Sequence, residues 1–337
     1  MKKVMIKKVL MTLAVIFVII ISLVGYGIYR FFNPFGELVN EEVSDSYFYS
    51  RDKEHIIYSP MGNWFSLGKH EMDVDLSTFK VLGRDYAKDQ QYAYFKSRAI
   101  NFQIDVPSFN VKEGYVPLDK NHVYVLVDDL YYLDDSREGF KILEDADPNT
   151  YVQLNYNFAK DKNFVFRNNE KIKEVNHESF EVINDEFCKD NNGVYFYWYQ
   201  KPLRIIKEVN LSEVVALTNS CIRDDKYIYI HIGRRNYEEV DEVINIPFKD
   251  VETIKFFEDH AFIKVDDKIY YEGVILEAAD AFSFEEIGYG YAKDVKYVFF
   301  NGKVIPGADS KTFKYNDIKY TFSDKNNTYK AGEVVKK

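Results

Sequence analysis

The sequence predicts an all-β fold, a tandem array of short antiparallel β-meander repeats, and three observations point to it. One short phrase recurs about nine times: an aromatic, Ala or Cys, Lys, Asp, two or three polar residues, then an apolar and aromatic run. Aromatic residues make up 17% of the chain, with 28 Tyr and 27 Phe but only 2 Trp, and Tyr and Phe suit the pleated surface of strands. Turn chemistry punctuates each copy at matching places. Self-similarity at a fixed period decides architecture before any single residue does.

The clearest copies of the phrase are Tyr86-Ala87-Lys88-Asp89, Phe158-Ala159-Lys160-Asp161, Phe187-Cys188-Lys189-Asp190 and Tyr291-Ala292-Lys293-Asp294. Indexed on the Asp, the copies fall at Asp52, Asp89, Asp119, Asp161, Asp190, Asp224, Asp259, Asp294 and Asp324, a mean step of about 34 residues. The copy at Asp259 is degenerate, and Asp267-Lys268-Ile269-Tyr270-Tyr271 offers another register there.

The eighth copy shows the grammar. Tyr291-Ala292-Lys293-Asp294 is a short extended piece, followed by a tight turn and the strand Tyr297-Val298-Phe299-Phe300. Asn301-Gly302 is a hairpin signal, since both residues tolerate positive φ. Lys303-Val304-Ile305 returns as a third strand, and Asp309 is placed to cap the following turn. Each copy is thus three or four short strands. One such meander leaves its apolar face wet, so neighbouring copies must cover each other. The array is expected either open or closed like a propeller, although nine units exceed the usual range of about four to eight blades.

One N-terminal transmembrane helix is expected before the repeats. Lys2, Lys3, Lys7 and Lys8 form a basic tail over residues 1–8, and an apolar run over 9–24, extended to 29, reaches about the 20 residues that span a bilayer. Lysines on the amino side place that end in the cytoplasm and the rest of the chain outside. A cleaved signal peptide would need a small-x-small site, and Gly25-Tyr26-Gly27 is a poor one. A lipoprotein would need a Cys just after the run, where none stands. An uncleaved single-pass anchor over 9–29 is the reading, with a juxtamembrane linker over 30–46 and the β-repeat domain over 47–337. Asn33-Pro34-Phe35-Gly36 ends the helical pattern.

Asp119-Lys120-Asn121-His122-Val123-Tyr124, Asp161-Lys162-Asn163-Phe164-Val165-Phe166 and Asp324-Lys325-Asn326-Asn327-Thr328-Tyr329, with the segment Ala146-Asp147-Pro148-Asn149-Thr150-Tyr151, resemble the DKNYY family of bacterial proteins. The resemblance covers roughly residues 47–330. It implies a repeat-built protein of the bacterial envelope or surface and no catalytic residues.

Candidate sites are few. Asp190-Asn191-Asn192-Gly193 resembles the opening of a calcium loop, but Lys fills the second position in several copies and no Glu recurs at the required distance. The repeated Asp reads instead as a turn cap, with Asn in the left-handed position. His55, His70, His122, His177, His231 and His260 lack metal-site spacing, so no metal and no cofactor is expected. Cys188 and Cys221 lie almost one repeat apart and are candidates for a disulfide in an oxidising compartment, or else two buried thiols. Tyr195, Tyr197 and Tyr199 would share one strand face and, with Trp198, could stack on a ligand. A net charge of −10 without a basic stripe argues against nucleic acid.

These readings describe a single-pass cell-membrane protein whose extracytoplasmic domain binds an envelope protein or glycan without chemistry. Two alternatives stay open: an immunity-type protein neutralising a toxin at the membrane, and a glycan-acting envelope enzyme. The departures from the repeat, namely Cys188, the aromatic run 195–199 and the unit around Asp259, are where a specific site is expected.

Overall fold

The computed structural model describes residues 2–100, 102–126, 139–198, 201–235, 238–257, 261–317 and 320–335, with side chains for all of these except 2–12, 14, 15 and 234–240. After a single long helix, α1 (Lys2–Phe32), the chain is almost entirely short antiparallel strands. The all-β repeat expectation holds.

Nine copies are recognisable among the described residues. The second and the fourth to ninth are each one four-stranded sheet whose strands pair in sequence order. The eighth runs Glu285–Gly288, Tyr291–Lys293, Val298–Phe300 and Lys303–Val304. Its last turn places Asn301 at φ 45° and Gly302 at φ 74°, the left-handed pair that this hairpin needs. A side chain at Gly302 would also strike the Tyr271 ring of the seventh copy, with the nearest atom 2.8 Å from an ideal Cβ. The third copy is two paired ladders joined by the bridge Leu118↔Val123.

The first copy has three named strands, Tyr47–Tyr49, Ile56–Tyr58 and His70–Met72. A fourth line of chain joins them from the segment expected to be a linker. Gly36 and Val39 donate backbone N–H bonds to Tyr49 and Tyr47 at 2.9 Å, and Tyr49 donates back to Glu37 at 2.9 Å. Residues 36–39 therefore act as the missing edge strand, and the repeat domain begins about there instead of at 47.

The chain divides into two compact units. One comprises Met1–Gln153, Ala159–Lys162 and Asn169–Lys171; the other comprises Leu154–Phe158, Asn163–Asn168 and Ile172–Lys337. In the first unit, one core cluster joins the first and second copies through Tyr47, Tyr58, Met72, Val81 and Tyr94. Another joins the second and third through Tyr86, Phe109, Tyr124 and Phe140. In the second unit, separate clusters join the fourth copy to the fifth, and so on to the ninth. The core thus lies between neighbouring sheets, as expected when a small sheet cannot cover its own face.

In α1 the side chains from Ile16 to Phe32 are exposed, including the consecutive Phe17, Val18, Ile19, Ile20 and Ile21. Only its carboxyl end meets the first copy, where the Phe31 ring lies against Trp64 and Arg51 lies over Tyr29. Among the described residues no helix is long and apolar enough to cross a membrane, so a membrane-crossing helix over 9–29 is not shown. Described side chains are continuous only from Ile16, and the first half of the apolar run lies outside them apart from Leu13.

Candidate functional site

The repeated Asp was the first candidate for chemistry, and its geometry settles its role. Asp224 is 2% exposed. Its Oδ1 accepts from the backbone N–H groups of Lys226 and Tyr227, both at 2.8 Å. Its Oδ2 accepts from the Tyr229 hydroxyl at 2.9 Å and from the backbone N–H of Asn210, fourteen residues upstream, at 3.1 Å. One carboxylate therefore closes its own turn, holds the Tyr five residues on, and fastens the loop entering the copy. Asp89, Asp119 and Asp324 make the same set of bonds. In the fourth and eighth copies Phe166 and Phe299 stand at the Tyr position.

A second clamp runs the opposite way. The upstream loop carries Asp75, Asp105, Asp147, Asn176, Asp280 or Asp309, and three residues later Ser or Thr. That hydroxyl accepts from the backbone N–H just after the repeated Asp, as Thr78 does from Gln90 at 3.0 Å and Ser179 from Asn191 at 3.0 Å. Lys after the Asp reaches the upstream carboxylate in Lys120–Asp105 at 3.2 Å and Lys162–Asp147 at 2.8 Å. The Lys162 contact, with the Asn149 N–H, holds the Asp147 carboxyl down to about 2. The Asp-Lys-Asn phrase is thus turn chemistry, as expected. Its Asn is not left-handed, however: Asn121, Asn163 and Asn326 are absent from the positive-φ residues, which sit at the later hairpin, as at Asn168-Asn169 and Asn301.

Lys before the Asp ties copies together. Lys88 Nζ donates to the carbonyls of Val106, Pro107 and Phe109 at 3.2, 3.0 and 2.8 Å, which belong to the loop entering the next copy. Burial, together with the nearby Lys80 charge, lowers the Lys88 pKa. In the seventh copy the part of the repeated Asp falls to Asp266, which accepts from the backbone of Lys249 and Asp250 in the loop entering that copy at 3.2 and 3.3 Å. Asp259 and His260 lie outside the described residues.

The two cysteines are free and buried. Cys188 packs in the core between the fourth and fifth copies, Cys221 in that between the sixth and seventh. The expected disulfide is not formed: Cys221 stands one residue earlier relative to its Asp than Cys188 does, and a one-residue offset turns a strand side chain to the other face, so the two thiols lie in different inter-sheet cores. Burial pushes both thiols well above their usual range, so they are poor nucleophiles.

The aromatic run is also structural where it is described. Tyr195, Phe196 and Tyr197 are all buried. The Tyr195 hydroxyl donates to Asp190 at 3.2 Å and that of Tyr197 to the Asn184 carbonyl at 3.0 Å. The expected alternation holds, with Tyr195 and Tyr197 in one core and Phe196 in the next, but neighbouring sheets cover both faces and neither is open to a ligand. Trp198 is half-buried, its ring 5.5 Å from that of His231. Tyr199 lies outside the described residues. Tyr195, Tyr197 and Trp198 do not form an open stacking platform.

A different cluster stands out in the second unit. The sixth copy has unusually long strands, Tyr227–Arg235 and Glu238–Pro247. His231 occupies the position where other copies turn, and its side chain is completely buried. Nδ1 lies 3.0 Å from Glu186 Oε2, and Nε2 lies 3.2 Å from Asp241 Oδ1. Asp241 Oδ2 also contacts Lys201 Nζ at 3.0 Å and the Arg204 guanidinium. Burial alone would raise the Asp241 carboxyl, but Lys201, His231 and Arg204 outweigh it and hold it low. Gly233 admits the Trp198 ring, whose nearest atom is 2.9 Å from an ideal Cβ. The cluster pins the long hairpin onto the fifth copy; a wholly buried imidazole cannot reach a substrate. Sequence spacing missed it because its members are scattered over residues 186–241. The available signal was the missing Asn or Gly at 231–232, where the alternation continues instead. Among the described residues no group of His, Cys, Asp and Glu is arranged to hold a metal ion.

The DKNYY family model matches residues 49–198, 86–231 and 165–333, three overlapping passages that together run through almost the whole repeat region. The chain belongs to the DKNYY family. Overlapping matches are what a repeated unit produces, since one model fits several registers of the same array. No curated protein and no solved structure matches the chain.

Proposed function

We propose that this DKNYY-family protein is a membrane-anchored envelope protein whose repeat domain lies outside the cytoplasm and binds an envelope protein or glycan without catalysing a reaction. The observation that carries the address is α1. Apolar side chains exposed on consecutive positions, and therefore on every face of the helix, are stable only in an apolar surround. The four lysines before the run favour a cytoplasmic amino end. The binding side of the reading is supported by the repeated carboxylates and hydroxyls, which are engaged within the fold, and by arrays of this kind offering extended surfaces.

Membrane vesicles of both orientations test the address. The full chain is expected to resist alkaline carbonate extraction, and added protease to degrade residues 47–337 only in right-side-out vesicles. Extraction by carbonate, or digestion in inside-out vesicles, overturns it. Sedimentation of the detergent-solubilised chain with purified cell-wall polymer, alongside crosslinking to envelope proteins in intact cells, tests the binding; a chain that does neither is not a binding protein of this kind.

A further inference from the structure

In the eighth copy the last two strands are joined by Asn301-Gly302 alone. In the first copy the same hairpin is replaced by residues 59–69, reading Ser-Pro-Met-Gly-Asn-Trp-Phe-Ser-Leu-Gly-Lys. The base of this insertion is fixed. Ser46 and Ser59 are fully buried; the Ser59 hydroxyl donates to the Gly68 carbonyl at 2.9 Å, and the Met61 N–H donates to the Ser46 hydroxyl at 3.0 Å. Its tip is a single helical turn, α2 (Trp64–Leu67), with the Asn63 side chain accepting from the Ser66 N–H. The tip contributes nothing to the core: Met61 is 51%, Phe65 77% and Leu67 47% exposed. A rigidly held loop with an apolar tip is unfavourable in water unless something apolar receives it.

Its position says what that is. The Trp64 ring lies edge-on to Phe31 with centroids 4.9 Å apart, so the loop sits beside the carboxyl end of α1. Phe31 and Phe32 at that end are exposed as well. Cations surround the apolar group: Lys69 Nζ lies 5.9 Å from both the Trp64 and Phe35 rings, the Arg51 guanidinium lies 5.8 Å from the Tyr29 ring, and that of Arg30 lies 5.9 Å from Tyr26. Aromatic and aliphatic side chains with basic groups just above them suit the boundary between headgroups and acyl chains.

We infer that the loop 59–69 is a second membrane contact, inserting Met61, Phe65 and Leu67 into the outer leaflet beside α1 while Lys69 and Arg51 meet lipid phosphates. The inference rests on the reading of α1 as an anchor. Two contacts fix what one leaves free: a single helix lets the domain swivel, whereas a helix and a rigid loop hold the first copy against the bilayer in one orientation.

The full chain reconstituted in phosphatidylcholine vesicles with a fraction of phosphatidylglycerol tests it, using lipids brominated at different acyl depths. The Trp64 signal is the difference between the parent chain and Trp64→Phe, with Trp198 left in place. Emission of Trp64 is expected to be lost most strongly to bromines near the headgroup end. The combined change Met61→Ser, Phe65→Ser and Leu67→Ser is expected to remove most of that quenching while the chain still floats with the vesicles. A chain that floats with an unquenched Trp64, or quenching that survives the three serines, overturns the loop contact and leaves the anchor standing. A chain that does not float overturns the anchor and the loop contact with it.

Discussion

Asn cannot take the place of the repeated Asp without loss, because both carboxylate oxygens are acceptors. At Asp224 the Asn amide would turn its NH2 toward two donors, the Asn210 N–H and the Tyr229 hydroxyl. The hydroxyl can rotate to accept, but the backbone N–H cannot, and a buried unsatisfied donor costs about 1–3 kcal/mol. Asp224→Asn is therefore expected to destabilise the repeats by about 2–3 kcal/mol in urea titration, and Tyr229→Phe by no more than about 1 kcal/mol. The fourth and eighth copies, which carry Phe166 and Phe299 at the tyrosine position, show that the hydroxyl is dispensable; equal costs for the two changes would refute this division. The same carboxylates set the acid limit. At Asp89, Asp119, Asp224 and Asp324 burial pushes the carboxyl up, but the hydroxyl and N–H donors outweigh it and hold each below its ordinary value. A depressed folded value means the unfolded chain takes up protons first. Each group's contribution is thus complete above about pH 5 and disappears as pH falls below about 4 through the folded value. Stability at pH 3 is expected to fall well below that at pH 6, and Asp224→Asn to flatten the dependence. An unaltered slope in the variant would remove Asp224 from the account.

Between one element and the next, the lysine before the Asp does what the strands alone do not. Lys88 leaves its own copy to bind three carbonyls at the entrance to the third, in a partly buried setting where a charged donor is worth more than a neutral one. Lys88→Met keeps the apolar stem and drops the ammonium, leaving three carbonyls to water or to nothing. The expected cost is about 1–2 kcal/mol, with faster amide exchange in the loop 104–109; an unchanged exchange rate there would show that the tie is ornamental. Elements also show where the sequence was readable. Asn301-Gly302 announced its hairpin because left-handed φ requires such residues, and the strand-turn-strand order of the eighth copy follows from local chemistry alone. The pairing of 36–39 was hidden, because an edge strand in an acidic segment has no alternation to betray it. The pin at His231 was hidden for a different reason: Glu186 reaches it from a turn of the fifth copy and Asp241 from the paired strand, and no spacing rule connects them. Tyr195 and Tyr197 misled because alternation along a strand implies one open face only when one face is open.

At the scale of the whole molecule, three departures from the repeat fall at one place, the hairpin between the third and fourth strands. The first copy fills it with the apolar loop 59–69, the fifth with a longer connection carrying Trp198, and the sixth with the extended strands that hold His231. The clamp residues recur in most copies while this hairpin varies, so the array separates the part that builds from the part free to specialise. That separation has an energetic counterpart. Each core cluster among the described residues draws on two neighbouring copies and no third, and a chain with only nearest-neighbour contacts transmits a disturbance only as far as its interfaces are coupled. Asp119→Asn should therefore raise hydrogen exchange in the second and third copies and leave residues 285–330 at parent rates, while Asp294→Asn should do the reverse. Their stability costs should add, since the sites share no partner. If either change accelerated exchange along the entire chain, the array would be one cooperative body, and the clamp at each turn would guard the whole of it, not its own two interfaces.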